Sequence, residues 1–259
     1  MIDLHTHILP DWDDGASNLV EARQMITLAH KDGISKIVLT PHVFRMTKHG
    51  ESLEGLRGRV QAFLKQQQGH FDVELFPGAE VYIHADMIEH IKGYGLTVNG
   101  SNYVFVEFPA EHVPGGTTKL VFQMMLDGLI PIISHPERNT VFAQTPRILY
   151  ELITQGAIGQ VTSQSITGEF GKPTKKTAES FLRHGLVHLI ASDAHNAKTR
   201  PPQLTEAVEA TAKIVGADRA EAMVTAVPAA ILANEQIPDL GEPVNPDKKN
   251  RLTFHFQRS

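Results

Sequence analysis

The sequence predicts an α/β fold, a distorted (β/α)7 TIM-like barrel, on three observations. Apolar, β-branched runs alternate with segments of helical period almost from end to end, several helical segments stop at glycine, and residues of metal-ligand type recur just past the apolar runs. Such alternation gives parallel βα units. A closed barrel, unlike an open sheet, brings all its C-terminal loops to one mouth.

The first strand is expected over 2–6, where His5 and His7 stand at i and i+2 and so share one face of an extended chain. An amphipathic helix near 18–32 follows, stopped at Asp32-Gly33. The second strand, 35–40, leads into Thr40-Pro41-His42 and a helix over 53–68; the third, 72–76, leads into Gly78-Ala79-Glu80 and a helix over 84–92. The fourth, 102–107, ends on Glu107 before a helix over 116–127, whose Met124-Met125 reads as core. The fifth, 130–134, ends on Ser134-His135 before a helix over 145–155. The sixth, 158–162, precedes a helix over 174–184, and the seventh, 187–191, opens onto Ser192-Asp193-Ala194-His195. Two outer helices are expected at 203–216 and 218–234. Three prolines and no helical period after 235 predict an extended tail over 236–259, with a basic and aromatic end at Lys248, Lys249, Arg251, Phe254 and Phe256. Residues 1–235 thus read as one domain.

Composition narrows the chemistry. With 259 residues, 41% of them hydrophobic and 20% charged, the chain has the texture of a soluble protein long enough for a large core. No signal-type leader and no run long enough to cross a bilayer stands out, so a cytoplasmic, not membrane-embedded protein is expected. With no cysteine, a thiolate zinc site, a disulfide framework and a cysteine nucleophile are all excluded, leaving nitrogen and oxygen to hold any metal. A net charge of −5 argues against nucleic acid.

Five of the 14 histidines, His5, His7, His42, His135 and His195, fall at strand ends, as do the carboxylates Glu80, Glu107 and Asp193, with Asp14 just past the first pair. Alone, His5-Thr6-His7 fits a tag remnant as well as a site; the further donors favour the site. Singly, Asp14 also fits a cap on the helix near Asn18, and Glu107 a partner for an arginine. Imidazoles and carboxylates without sulfur suit Mn²⁺, Fe²⁺ or Zn²⁺ better than Ca²⁺ or Mg²⁺. Divalent ions there would leave the pocket cationic, attractive to an anionic substrate within an acidic protein. Arg138, three residues after His135, and Arg200, five after His195, carry planar forks able to grip phosphoryl oxygens; without the motifs around them, both read as ordinary surface residues.

Six motifs in order, His5-Thr6-His7 with Asp13-Asp14-Gly15, Thr40-Pro41-His42, Gly78-Ala79-Glu80, Glu107-Phe108-Pro109, His135-Pro136-Glu137-Arg138-Asn139 and Ser192-Asp193-Ala194-His195-Asn196, resemble the PHP (polymerase and histidinol phosphatase) superfamily. Within it, they are most similar to the bacterial manganese-dependent protein-tyrosine phosphatases of capsule and exopolysaccharide loci, over about residues 1 to 235. The resemblance implies three divalent ions, Mn²⁺ by expectation. His5, His7, Glu80 and Asp193 would hold one; Glu80, bridging, with Glu107 and His135 a second; Asp14, His42 and His195 a third. It also implies a substrate, the phosphotyrosine tail of an autophosphorylated bacterial tyrosine kinase that regulates polysaccharide synthesis, and a step, attack of a metal-bridging hydroxide on phosphorus.

A phenolate with pKa near 10 leaves readily, so little acid assistance is needed and no dedicated acid stands out, His112 being the nearest candidate. Trp12 and Phe44 fit either facing an aromatic substrate or anchoring their loops by packing, and 162–172 reads as a rim loop. Alternatives are a histidinol-phosphate phosphatase with the same metal core, and a non-catalytic PHP module in a larger assembly, for which missing ligands are expected. A homo-oligomer is compatible with the sequence.

Overall fold

The computed structural model describes residues 1–45 and 52–247. In chain order its elements are β1 (Ile2–Thr6), α1 (Leu19–Lys31), β2 (Lys36–Leu39), β3 (His42–Val43), α2 (Leu53–Gln67), β4 (Glu74–Pro77), β5 (Glu80–Tyr82), α3 (Met87–Tyr94), β6 (Tyr103–Glu107), α4 (Thr117–Leu126) and β7 (Ile130–Ile133). Then come α5 (Thr140–Gln144), α6 (Pro146–Thr154), β8 (Ile158–Thr162), α7 (Ser163–Thr167), α8 (Lys172–Arg183), β9 (Leu189–Ala191), α9 (Thr205–Val215), α10 (Ala217–Ala222) and α11 (Ala226–Leu232).

All strand pairs among these elements are parallel, in the orders β1-β2-β4 and β3-β5-β6-β7-β8-β9. The sheet curls until β9 comes back beside β1. There a parallel bridge joins Thr6 to Ala194, the His7 amide donates to the Ala194 carbonyl at 2.8 Å, and the Asp193 amide donates to the His5 carbonyl at 2.9 Å. Asp3, fully buried, ties the same two strands by accepting from the Ser192 amide at 3.0 Å and hydroxyl at 2.5 Å. Burial nonetheless pushes its carboxyl up to about 6.

Where the sequence suggests single strands entering His42 and Glu80, the chain makes two short ones each time. Pro41, with no amide to donate, interrupts β2 from β3. Gly78 interrupts β4 from β5, and it packs so tightly that an added Cβ would lie 2.7 Å from Val38 Cγ1. Beyond these breaks the pairing passes from the β2–β4 ladder to the β3–β5 ladder, in which His42 and Glu80 stand opposite each other.

Apolar residues fill two layers. An inner cluster of Leu4, Val38, Phe105, Ile132, Ile158 and Leu189 is plugged by Val227 and Ile231 of α11, while an outer one packs the helices on the sheet through residues such as Met25, Ile26, Val106, Leu149 and Phe181. Side-chain oxygens cap three helices, Asn18 on α1, Ser52 on α2 and Asn139 on α5. The single helix expected over 218–234 is two, α10 and α11, because Pro228 cannot continue a helix from upstream but fits the first turn of a new one. The tail's described part, 236–247, has no regular structure yet is tied down: the Val244 amide donates to the His184 carbonyl at 2.8 Å. Its basic and aromatic end lies outside the described residues. Among the described residues no helix is long and apolar enough to cross a membrane.

Gly159 on β8 sets a steric limit, since a Cβ there would meet the Leu186 carbonyl oxygen at 2.2 Å. Gly159→Ala is therefore expected to destabilise the fold by about 2–3 kcal/mol in denaturant melts, whereas exposed Gly58 on α2, with nothing near its missing Cβ, gains stability as Ala.

A pH dependence arises beside it. The Gly159 amide donates to His188 Nδ1 at 3.2 Å, and burial, with Arg219 nearby, lowers the His188 pKa to about 4. The stability this neutral imidazole contributes is complete above the unfolded value of 6.5 and is lost as pH falls from 6.5 through 4. The stability difference between the wild type and His188→Gln should accordingly shift by roughly 2 kcal/mol against the wild type between pH 6.5 and 5.

Candidate metal centre

Each strand end delivers side chains to the concave mouth of the curled sheet. β1 supplies His5 and, just past it, His7; β3 supplies His42; β5 supplies Glu80; β6 supplies Glu107. The turns after β7 and β9 supply His135, Asp193 and His195. Two of these, His135 with φ 33° and Asp193 with φ 51°, sit in the left-handed region that disfavours side chains, a strain found where function over-determines backbone.

All nine residues singled out from the sequence come together. His5 Nε2 and His7 Nε2 lie 3.2 Å apart, and each stands 3.3–3.5 Å from both Glu80 Oε2 and Asp193 Oδ1. His135 Nε2 approaches Glu80 Oε1 at 3.1 Å; His42 Nδ1 approaches Glu80 Oε2 at 3.1 Å and Glu107 Oε2 at 3.4 Å. Asp14 Oδ1 stands 3.4 Å from both His42 Nε2 and His195 Nε2. Eight of the nine are buried, and only Asp14 is open to solvent, its side chain 39% exposed. Asp14 is no helix cap, since Asn18 takes that place.

The donor atoms fall into four overlapping groups able to hold an ion: His7, Asp14, His42 and His195; His5, His7 and Asp193; His5, Glu80 and His135; His42, Glu80 and Glu107. Relative to the trinuclear assignment, His7 and His42 also reach neighbouring groups, so the cluster is one continuous array. Electrostatics fit a cation. Buried His42 Nδ1, Glu80 Oε2 and Glu107 Oε2 have no hydrogen-bond partner among the described residues. Despite burial, His5 and other imidazoles hold Glu80 well below the usual carboxylate range, and His195 and Arg200 do the same for Asp193. Burial and His42 press His7 down, yet Asp13 outweighs them and lifts it to about 9; burial also presses His42 down, and Asp14, Glu107 and Glu80 reverse it. Protons gather where the carboxylates call for positive charge, which divalent ions would supply.

Around the donors stands a supporting layer that the sequence reading missed. Asp13 accepts from His7 Nδ1 at 2.9 Å and from the His42 amide at 2.9 Å, which leaves His7 Nε2 free to face the cluster. Gln160 Oε1 does the same for His5 Nδ1 at 3.1 Å, and accepts from the His135 amide at 3.1 Å. Gly15 makes the Asp13 turn possible: a Cβ there would lie 2.0 Å from the His7 carbonyl oxygen. A polar residue inside the apolar run Ile158–Thr162 was the available signal for Gln160. For Asp13, adjacency to Asp14 hid the division of labour.

Arg138 Nη1 and Arg200 Nη2 both donate to Asp193 Oδ2 at 2.5 Å, and both guanidiniums lie over the Phe170 ring, 4.9 and 5.7 Å from its centroid. The expected rim loop is therefore part helix, α7, and part turn, with Phe170 as a platform for both arginines. Glu137 holds that platform to the ligand turn, accepting from the Ser165 hydroxyl at 2.6 Å and the Thr162 amide at 3.0 Å. Glu107 does meet an arginine, as one alternative had it: Arg45 Nη1 donates to its Oε1 at 2.5 Å, alongside His42.

Position decides the role of Trp12 and locates Phe44 and His112. Trp12 is buried and its indole donates to the His42 carbonyl at 3.0 Å, so it packs beneath the site and cannot face a substrate. Phe44 is 43% exposed, with φ 67°, its ring against His84 and His90. His112 is exposed on the loop after β6, where its carbonyl accepts from Asn139.

Residues 1–233 match the family of capsular polysaccharide synthesis proteins CpsB/CapC. The tyrosine-protein phosphatase YwqE of Bacillus subtilis is 34% identical over 257 residues, covering 99% of this chain and 100% of its own. A solved structure, from work on YwqE of Bacillus subtilis and CpsB of Streptococcus pneumoniae as metal-dependent tyrosine phosphatases, superposes with a TM-score of 0.86 at 33% identity, over 94% of this chain and 99% of that one. The histidinol phosphate phosphatase of Lactococcus lactis, at 14% identity and a TM-score of 0.52 over 84% of this chain and 93% of its own, shares the fold alone.

Gln160→Leu removes the acceptor that orients His5 and the His135 turn while keeping the volume. It is expected to weaken divalent-ion binding about 10–100-fold, read by competition with a chromophoric chelator.

Proposed function

Because the chain belongs to the CpsB/CapC family of capsular polysaccharide synthesis, we propose that it is a metal-dependent protein-tyrosine phosphatase, acting on the phosphotyrosine tail of an autophosphorylated bacterial tyrosine kinase that controls capsule or exopolysaccharide synthesis. The observation that carries this reading is the meeting of two guanidiniums at one oxygen of Asp193, whose other oxygen faces His5 and His7. Cationic forks beside a cluster of metal donors suit a phosphate monoester.

The proposed ligand sets are His5, His7, Glu80 and Asp193; Glu80, Glu107 and His135; and Asp14, His42 and His195, for three ions, with Mn²⁺ first and Fe²⁺ or Zn²⁺ as alternatives. Divalent ions held there supply Lewis acidity for the phosphoryl oxygens and a nucleophile from water at neutral pH. The protein's part is orientation. Asp13 and Gln160 keep the Nε2 atoms of His7 and His5 turned to the cluster, and Phe170 keeps the two guanidiniums in register. Arg138 and Arg200 orient the phosphoryl group and balance charge that grows as the ester bond breaks. A phenolate needs little protonation as it departs, so the reading calls for no dedicated acid side chain.

The barrel itself is read as a distorted (β/α)7 unit over 1–235, supported by counting β2 with β3 and β4 with β5 as interrupted strands and by the return of β9 to β1; the tail over 236–259 follows it. A cytoplasmic site of action agrees with the lack of cysteine.

Replacing Arg138 and Arg200 together by Ala is expected to lower kcat on a phosphotyrosine peptide by about 100-fold or more, with metal content per chain unchanged. Chelation should abolish turnover and Mn²⁺ restore it. A strong preference for histidinol phosphate over phosphotyrosine peptides overturns the assignment.

A further inference from the structure

Beside the metal-donor cluster, on the Glu107 and His135 side, lies a cleft of about 110 Å³ that the phosphoryl-gripping roles above leave unused. Arg45 and Arg138 both line it, together with Ser134 and the apolar wall of Phe108; Arg200 is not among its lining residues. Arg138 is thus shared between two places, the Asp193 corner with Arg200 and this cleft with Arg45.

Three features point to an anion. Arg45 is oriented twice, by the Glu107 carboxylate at 2.5 Å and by the Tyr82 ring, 5.2 Å beneath its guanidinium carbon, so a fork of donors is already ordered. Ser134 lines the cleft, and its buried hydroxyl has no hydrogen-bond partner among the described residues, an unmet donor in the cleft wall. The volume also fits: at about 10–15 Å³ for each water, the cleft holds a side-chain carboxylate with room for its methylene stem.

We propose that this cleft is a second anion subsite, which takes the side-chain carboxylate of an acidic residue flanking the phosphotyrosine of the substrate peptide. It rests on the phosphotyrosine reading above. Because Arg138 lines both places, the phosphoryl group and the carboxylate are read side by side, and Arg45 is a specificity-determining residue. Free phosphate has similar chemistry and is distinguished in the test.

The test pairs phosphotyrosine peptides that carry Glu or Gln immediately before, or immediately after, the tyrosine. The metal-reconstituted protein is compared with Arg45→Gln, Arg45→Lys and Ser134→Ala. Within each protein the readout is the Glu/Gln ratio of kcat/KM, and the same ratio of Kd for peptides carrying phosphonomethyl-phenylalanine, which bind without turning over. The wild type is expected to favour Glu at one flank by about 5–20-fold, chiefly through KM. The ratio should fall to within about 2-fold in Arg45→Gln, stay intermediate in Arg45→Lys, and drop partway in Ser134→Ala. Equal ratios in the wild type, or an unchanged ratio in Arg45→Gln, overturn the proposal. So does a loss in Arg45→Gln of inhibition by inorganic phosphate with peptide discrimination intact, because the cleft then serves free phosphate. If no phosphotyrosine peptide turns over with metal restored, the phosphotyrosine reading fails instead, and the Kd ratios still decide the cleft.

Discussion

Glu80 sets the terms for everything around it. A carboxylate with no exposure to water is tolerated only when positive charge and hydrogen-bond donors replace its hydration. Here His5, His7, His42 and His135 close on its two oxygens within 3.5 Å. No single element could bring four imidazoles to one carboxyl group. A curled parallel sheet can, because it points many strand ends at one spot while its apolar interior holds them there. The fold thus spends its inner layer on placing donors, and the outer layer, with its helices, on keeping the sheet curled.

Asp193 divides the site into two zones. One oxygen belongs with the imidazoles and the other with the guanidiniums, so a single side chain joins the histidine cluster to the arginine pair. The supports follow the same division. Asp13 and Gln160 act on the imidazole side; Phe170 and Glu137 act on the arginine side. That the cluster is built with stronger partners than burial alone would allow is visible in the depressed carboxylates of both zones.

Much of this was legible in the chain. The seven strand runs and most helices fell near their observed places because period and glycine stops are local signals. Eight of the nine clustered residues were readable because each sits at or just past the end of an apolar run, where a polar residue has few structural excuses; Asp14 was readable only through its place beside the first histidine pair. What was hidden is relational. Nothing local says that Gln160 turns two histidines, that Phe170 lies under two arginines 32 and 30 residues away on either side, or that Arg45 reaches across to Glu107. The split of 218–234 was readable in principle, from Pro228, but a proline inside an apolar helical run was outweighed by the length of the run. Trp12 stood open between facing a substrate and anchoring a loop, since position beside a ligand loop says nothing about which side of that loop is wet; burial decides for the anchor.

The closure of β1 against β9 has a consequence for how the protein is made. Asp3 and Ser192 touch across a separation of 189 residues, and the Thr6–Ala194 bridge spans nearly the same stretch. Translation delivers β1 before any other strand and its second neighbour last, so during synthesis His5 and His7 wait, with one flank open, until the final strand leaves the ribosome. Contacts of such long range are slow to form and leave strand edges uncovered meanwhile. By the time Glu80 has emerged, five of the nine clustered side chains are already in the chain, so most of the charge that the cluster must balance is made well before the turn carrying Asp193 and His195 arrives to close it.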